Sequence, residues 1–189
     1  MSRMRFMNTE IDNLTMGEVL VEVEKISGSD IFSLLCKMAA EKGYTMYFLG
    51  AAEGVAAKAA DNLMKRFPGL NVVGTYSPPY GFEKDEDEMF KIDSQIKRAN
   101  PDMLIVGLGC PKQEKFMFYN CDRLGVPVSF GLGASLDFEA GNVKRAPKWM
   151  SDYGFEWLFR ITQDPKRMAK RYLVDDLKIF KLALKYRKK

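Results

Sequence analysis

Three glycine-bearing segments carry the residue types best suited to holding an anionic ligand. Leu49-Gly50-Ala51-Ala52-Glu53-Gly54, Gly107-Leu108-Gly109-Cys110-Pro111-Lys112-Gln113-Glu114 and Gly131-Leu132-Gly133-Ala134-Ser135-Leu136-Asp137 each leave a short apolar run. Glycine lets backbone N–H groups approach an anion closely, and a helix N-terminus adds a favourable dipole. The plainer reading is that these glycines permit tight turns. None of the three is a G-x-G-x-x-G dinucleotide fingerprint, which disfavours a nicotinamide-dependent oxidoreductase.

The second segment says most. Pro111 suits a first helical position, and Lys112, Gln113 and Glu114 then cluster at a helix start. Lysine offers a point charge for phosphate, and glutamine both donates to and accepts from a sugar hydroxyl or base edge. A solvated first turn, with Glu114 answering the helix dipole, would look the same. Downstream, Asp137-Phe138-Glu139-Ala140-Gly141 precedes Lys144-Arg145-Ala146-Pro147-Lys148-Trp149. Arg145 could clamp a diphosphate. Trp149 and Trp157 either stack on a ring or, at a spacing of eight, bury one helix face. Asp85 and Asp87 form a D-x-D pair of the kind that binds metal, but in an acidic run opening a helix, where carboxylates are expected anyway. No metal and no cofactor is expected. The chain has no histidine, so proton transfer falls to a carboxylate, Lys, Tyr, Cys or the substrate itself.

These residues need a scaffold, and the pattern of apolar runs supplies one. Residues 44–49, 71–76, 102–108 and 126–131 read as buried strands. Residues 28–42, 53–66, 84–98 and 112–124 read as the helices between them, with Gly43 and Pro68-Gly69 as stops. After Pro147 the chain turns helical to about Ile161, and a last helix runs from about Pro165. Strands alternating with helices imply an α/β fold: a Rossmann-like parallel sheet with helices on both faces, whose ligands sit beyond the carboxyl ends of the strands.

Composition sets the class. With 189 residues, 47% hydrophobic and 29% charged, the chain is long enough for one globular domain. No apolar run approaches a membrane span, and the N-terminus lacks a signal core. Cys36, Cys110 and Cys121 lack metal-ligand spacing, and their odd number suits a reducing cytoplasmic compartment. The net charge of +4 hides an asymmetry, because residues 164–189 carry ten Lys/Arg against three Asp. In this tail Leu173, Leu177, Phe180 and Leu184 recur at helical spacing among lysines. A basic amphipathic helix of this kind lies on an anionic membrane or docks on its own domain. The expected division is therefore an α/β domain over 1–163 and an amphipathic appendage over 164–189.

The run DMLIVGLGCPKQE, followed by GLGASLDFEAGNVKRAPKWMSDYGFEWLFRI, strongly resembles the WecG/TagA/CpsF glycosyltransferases. The likeness extends over residues 25–175, and residues 8–23 match the family's opening strand and helix. The resemblance implies inverting transfer of N-acetylmannosamine or a related hexosamine, without metal, from a UDP-sugar to a polyprenyl-diphosphate-linked acceptor. The setting it implies is the inner face of the cytoplasmic membrane, in teichoic acid or other cell-wall polysaccharide synthesis, with no nucleic-acid partner. It makes Gln113 a substrate contact, with Arg160, Arg167 and Arg171 as candidates for the diphosphate. Together with the residue-level reading, the candidate binding set is Lys25, Gly50, Gly107, Gly109, Lys112, Gln113, Glu114, Asp137, Arg145, Arg160, Arg167 and Arg171.

One part of the family pattern is missing. Family members carry, between the opening helix and an R-[IV]-x-G-x-D motif, strand ends bearing Thr/Asn and Asp-Gly; that Asp is their proposed catalytic base. Here Val23-Glu24-Lys25 runs directly into Ile26-Ser27-Gly28-Ser29-Asp30, and Lys25 stands where the motif has Arg. No catalytic residue is assigned. A chain shortened near residues 24–26 either works slowly, binds nucleotide-sugar or a partner without catalysis, or restores the lost edge by forming a homo-oligomer.

Overall fold

The computed structural model describes residues 28–144, 147, 150, 156–163 and 165. Helix α1 spans Gly28–Lys42 and stops at Gly43, whose φ of 73° is left-handed. Then come β1 (Thr45–Gly50), α2 (Val55–Arg66), β2 (Asn71–Tyr76), a 3₁₀ turn (Phe82–Lys84) and α3 (Glu86–Ala99). The series continues with β3 (Met103–Gly107), α4 (Lys112–Leu124), β4 (Val128–Gly131), α5 (Ser135–Glu139) and α6 (Glu156–Gln163). The four strands form one parallel sheet in the order β2-β1-β3-β4. The expected α/β architecture is present. The tail beyond residue 165, the opening residues 8–23, and the reading of Trp149 and Trp157 as core or ring-stacking side chains fall outside the described residues.

Small differences at element ends have local causes. Helix α2 starts two residues later than its composition suggests, because Gly54 takes a left-handed φ of 77° immediately before it. Helix α3 is delimited by Asp85, whose carboxylate accepts from the backbone N–H groups of Asp87 and Glu88. That bond gives Asp85 a capping role in the D-x-D pair. Pro111 precedes α4 rather than opening it, and the Cys110–Pro111 bond is cis. Strand β4 begins only at Val128, since Pro127 has no N–H to give to a ladder.

Alternation along the central strands sorts side chains onto two faces. Met46, Phe48, Met103 and Ile105 meet α1, α2 and α5 on one face, around Phe32, Cys36, Ala59, Leu63 and Leu136. Tyr47, Leu49, Leu104 and Val106 meet α3 and α4 on the other, around Ile92, Ile96 and Phe116. Burial pushes the Cys36 thiol up to about 12, so it serves as a small apolar filler. Tyr47 keeps its hydroxyl satisfied through Gln95 Oε1 at 3.0 Å.

Two contacts between β1 and β3 hold the sheet's centre. At the amino ends, Asp102 Oδ2 accepts from Thr45 N at 2.7 Å and from Thr45 Oγ1 at 2.8 Å, while Asp102 N donates to Thr45 Oγ1 at 3.0 Å. At the carboxyl ends, Gly50 has φ 116°, and a Cβ there would stand 2.6 Å from the carbonyl carbon and oxygen of Gly107. Ala51 N donates to that same oxygen at 2.9 Å.

Gly50→Ala should therefore cost about 2–4 kcal/mol, from strain plus backbone displacement, read as a lower denaturant midpoint. The Asp102 carboxyl is held below the usual carboxylate range, first by the Thr45 backbone N–H and then by its hydroxyl. A depressed carboxylate stabilises the fold above its unfolded pKa and loses that effect as pH falls through the folded value. Asp102→Asn should thus flatten the melting-temperature profile below about pH 4, while the wild type declines there.

Candidate functional site

The strand order reverses at the centre of the sheet. From β1 the chain moves outward to β2, then crosses back to β3 on the other side of β1. Loops leaving β1 and β3 therefore diverge, and a crevice opens beyond their carboxyl ends. The crevice is an open cavity of about 850 Å³, with Ala51, Gly54, Ser77, Tyr80, Gly107 and Lys112 among its walls. Ser77 Oγ holds the loop after β2 to the loop after β1, sharing its hydrogen bond between the carbonyl oxygens of Gly50 and Ala52, each at 3.1 Å.

Two clusters of like composition line this cavity. In the first, Lys112 Nζ lies 2.8 Å from Glu83 Oε1 and 4.5 Å from the centroid of the Tyr80 ring. Tyr80 is 98% exposed, so its ring presents a free face to solvent. The Glu83 hydrogen bond holds the Lys112 ammonium above its ordinary range, and Lys112 in turn holds Glu83 below the usual carboxylate range. In the second cluster, Tyr76 Oη donates to Glu88 Oε2 at 2.6 Å. Lys91 Nζ lies 3.1 Å from Glu88 Oε1 and 4.7 Å from the Tyr76 ring centroid. Burial and the bond to Glu88 raise the Tyr76 phenol. Both lysines thus stay cationic at neutral pH, each held by a carboxylate and an aromatic face.

The residues expected from sequence divide into groups. Gly107 and Lys112 line the cavity, and Gly50 closes its floor through the contact with Gly107. Gly109 follows β3 with a left-handed φ of 78° and open space around it. Gln113 is buried at the other side of the β3 end. Its Oε1 accepts from Gly133 N at 3.1 Å and its Nε2 donates to Glu114 Oε1 at 2.9 Å. The Gln113 side chain therefore faces the turn after β4 and braces it. Glu114 is exposed. Asp137 sits half-buried in α5, where its carbonyl accepts from Asn142 N at 3.0 Å. Arg160 belongs to α6. Lys25, Arg145, Arg167 and Arg171 fall outside the described residues.

Sequence reasoning overlooked Ser77, Tyr80 and Glu83, which lie in and just after the loop Ser77-Pro78-Pro79-Tyr80-Gly81. The signal was available: this loop leaves the carboxyl end of a parallel strand, as the three glycine-bearing loops do. Among the described residues, no three His, Cys, Asp or Glu side chains converge as metal ligands, and no helix is long and apolar enough to cross a membrane.

A doubly covered parallel sheet with an open cavity at its switch point defines a Rossmann-like α/β protein. The model of the Glycosyl transferase WecG/TagA/CpsF family matches residues 13–189. The chain belongs to that family. It is similar to the N-acetylglucosaminyldiphosphoundecaprenol N-acetyl-beta-D-mannosaminyltransferase of Bacillus subtilis (strain 168), 38% identical over 143 residues, or 76% of this chain and 54% of the relative. The enzyme of the same name from Bacillus spizizenii is 36% identical over 76% of this chain and 53% of the relative. That from Staphylococcus aureus (strain MW2) is 30% identical over 77% and 55%. The chain thus spans about half the length of the curated relatives it matches.

The bracing role of Gln113 is directly testable. Gln113→Ala leaves the Gly133 N–H without its partner and opens space beneath Gly131. It should lower stability by about 1–3 kcal/mol in chemical denaturation.

Proposed function

We propose that this chain acts as a glycosyltransferase domain that takes N-acetylmannosamine, or a closely related hexosamine, from a UDP-sugar. It passes the sugar to a polyprenyl-diphosphate-linked acceptor. The observation that carries the reading is the cavity at the β1/β3 switch point, with the Lys112 cation at its wall, in a chain of this family. The relatives' names specify both the mannosaminyl group and the N-acetylglucosaminyl-diphosphoundecaprenol acceptor.

The chemistry follows from the residues. The acceptor hydroxyl oxygen attacks the anomeric carbon, the bond from that carbon to the diphosphate oxygen breaks, and UDP leaves with the electron pair. Charge grows on the diphosphate as the bond breaks. Lys112 would stabilise it by exchanging its Glu83 partner for a phosphate oxygen. Backbone N–H groups around Gly50, Gly107 and Gly109 would add donors, and the exposed Tyr80 ring offers a stacking face. On the same reading, Gln113, Glu114 and Asp137 hold the sugar side of the edge, and Lys25, Arg145, Arg160, Arg167 and Arg171 supply the remaining cations. The basic residues of 164–189 would carry the domain to the cytoplasmic face of the membrane, where its lipid-linked acceptor resides.

The acceptor proton needs a base, and the family's Asp-Gly strand end has no counterpart between Val23 and Gly28. Donor binding should therefore survive while turnover is slow or absent. Calorimetry should register UDP binding to the wild type, weakened about tenfold by Lys112→Ala, a loss of roughly 1.4 kcal/mol. No heat with UDP or UDP-sugars would remove the donor-site reading. Product formed from UDP-N-acetylmannosamine and a lipid-linked acceptor at the rate of full-length relatives would overturn the expectation of impaired transfer. Tight UDP binding with no product would instead identify a non-catalytic nucleotide-sugar module.

A further inference from the structure

The two lysine clusters on the cavity wall are alike in composition and differ in which member is sheltered. In the first, Lys112 and Glu83 are nearly equally open, with side chains 39% and 41% exposed, and one contact of 2.8 Å joins them. In the second, the carboxylate is the sheltered member: the Glu88 side chain is 19% exposed and that of Lys91 49%. Two different donors hold Glu88. Tyr76 Oη donates to Oε2 at 2.6 Å, and Lys91 Nζ donates to Oε1 at 3.1 Å. The backbone beneath is fixed too, because Glu88 N donates to the capping carboxylate of Asp85 at 3.2 Å. A phosphate that drew Lys91 away would strip one oxygen of Glu88, while Tyr76 kept the carboxylate in place. The second cluster is therefore poorly built to exchange its carboxylate for a phosphate. What it offers a ligand is the carboxylate itself.

The hydrogen bonds from Tyr76 and then Lys91 hold Glu88 below the usual carboxylate range, so it is ionised at neutral pH. An ionised carboxylate has about four acceptor positions on its two oxygens. Tyr76 and Lys91 take one on each oxygen, which leaves acceptor capacity on both. Two acceptors side by side, on a group held from both ends, match two adjacent hydroxyls that each have one proton to give. Lys91 offsets the carboxylate's charge, so a phosphate bound elsewhere in the cavity is not repelled.

Position indicates which hydroxyls these are. Tyr76 ends β2, and Lys112 opens α4 just after β3. Strand β1 lies between, so β2 and β3 stand two strand spacings apart, roughly 10 Å. Glu88 and Lys112 line one cavity, and the loop Ala51–Gly54 after β1 lines it as well. A nucleoside diphosphate with its terminal phosphate at Lys112 and its phosphate chain across the β1 loop would bring its ribose to the end of β2. Dinucleotide-binding sheets likewise set an acidic side chain against the ribose 2′-hydroxyl. Glu53 also lines the cavity, but it is exposed and lies in the β1 loop, where the phosphates would cross.

Within the donor site proposed above, on which this inference rests, we propose that Glu88 selects a ribonucleotide by accepting from the 2′- and 3′-hydroxyls of the donor's ribose. Tyr76 is the positioning residue that holds it.

Calorimetry with UDP and 2′-deoxy-UDP on the full chain tests this. The wild type should bind UDP about tenfold more tightly than 2′-deoxy-UDP, the effect of one hydrogen bond to a charged group. Glu88→Ala should bring that ratio to about one, closing a cycle between side chain and hydroxyl. Tyr76→Phe keeps the carboxylate but loosens it, and should leave a ratio of about threefold. A general loss of stability would weaken both ligands together and leave the ratio unmoved. UDP carries no hexosamine, so discrimination seen with it belongs to the ribose. Equal affinity of the wild type for the two ligands would overturn the inference and leave the donor site standing, and that comparison needs no variant to fold. A tenfold ratio that persists in Glu88→Ala would also overturn it, by assigning the hydroxyl to another residue. No heat with either ligand would remove the donor site itself, and the inference with it.

Discussion

The rest of this structure depends on how closely β1 and β3 approach at their carboxyl ends. Gly50 and Gly107 touch backbone to backbone, with no room for a Cβ on Gly50, and Ala51 donates to Gly107 across the contact. Gly107 is equally confined from below, where a Cβ would meet Leu136 Cδ1 at 2.8 Å. Two consequences follow. The floor of the crevice is bare backbone, which a ligand can approach without displacing side chains. The loops that leave this point must also diverge, because the chain proceeds to opposite sides of the sheet, and that divergence opens the cavity. A larger residue at Gly50 would part the strands, and one at Gly107 would press on Leu136 and the turn after β4.

Continuous apolar runs and amphipathic helical stretches made the framework legible from sequence. The apolar runs at 44–49 and 102–108 read as buried strands, and they are β1 and β3 with nearly the expected bounds. Gly43 ended α1 as its position suggested, because a residue with positive φ is cheap there only for glycine. Ends set by tertiary detail were less legible. The left-handed turn at Gly54 delays α2, and Pro127 trims β4 because it cannot join a ladder.

The cavity beyond the strand ends was legible in its location and less so in its lining. Strand order is a tertiary fact, so nothing local in Ser77-Pro78-Pro79-Tyr80-Gly81 announces that this loop faces Lys112. Lys112 carried its own signal, being a cation at a helix start after a glycine turn. Glu83 and Tyr80 did not, because the partners that define their role lie some thirty residues away in sequence. Gln113 shows the reverse. Its residue type suggests ligand recognition, yet its buried amide already spends its acceptor on Gly133 N and a donor on Glu114. A substrate contact through Gln113 would have to use its remaining hydrogen-bonding capacity or rearrange the turn after β4.

The pairing of lysines with carboxylates in the cavity has a thermodynamic meaning. Lys112 is satisfied by Glu83 and the Tyr80 ring in the unliganded fold, so the cation is not left as an isolated charge on the cavity wall. A phosphate oxygen competing for Lys112 must replace Glu83, and the freed carboxylate must return to water. Glu83 stands at the exposed rim of the cavity, where rehydrating a carboxylate costs little. In the proposed donor site such an exchange would favour a ligand with more negative charge and better hydrogen-bond geometry than a single carboxylate, a diphosphate more than a neutral sugar. On the proposed reading, a preference for an anionic group would arise from how Lys112 is held before the ligand arrives, as well as from its charge.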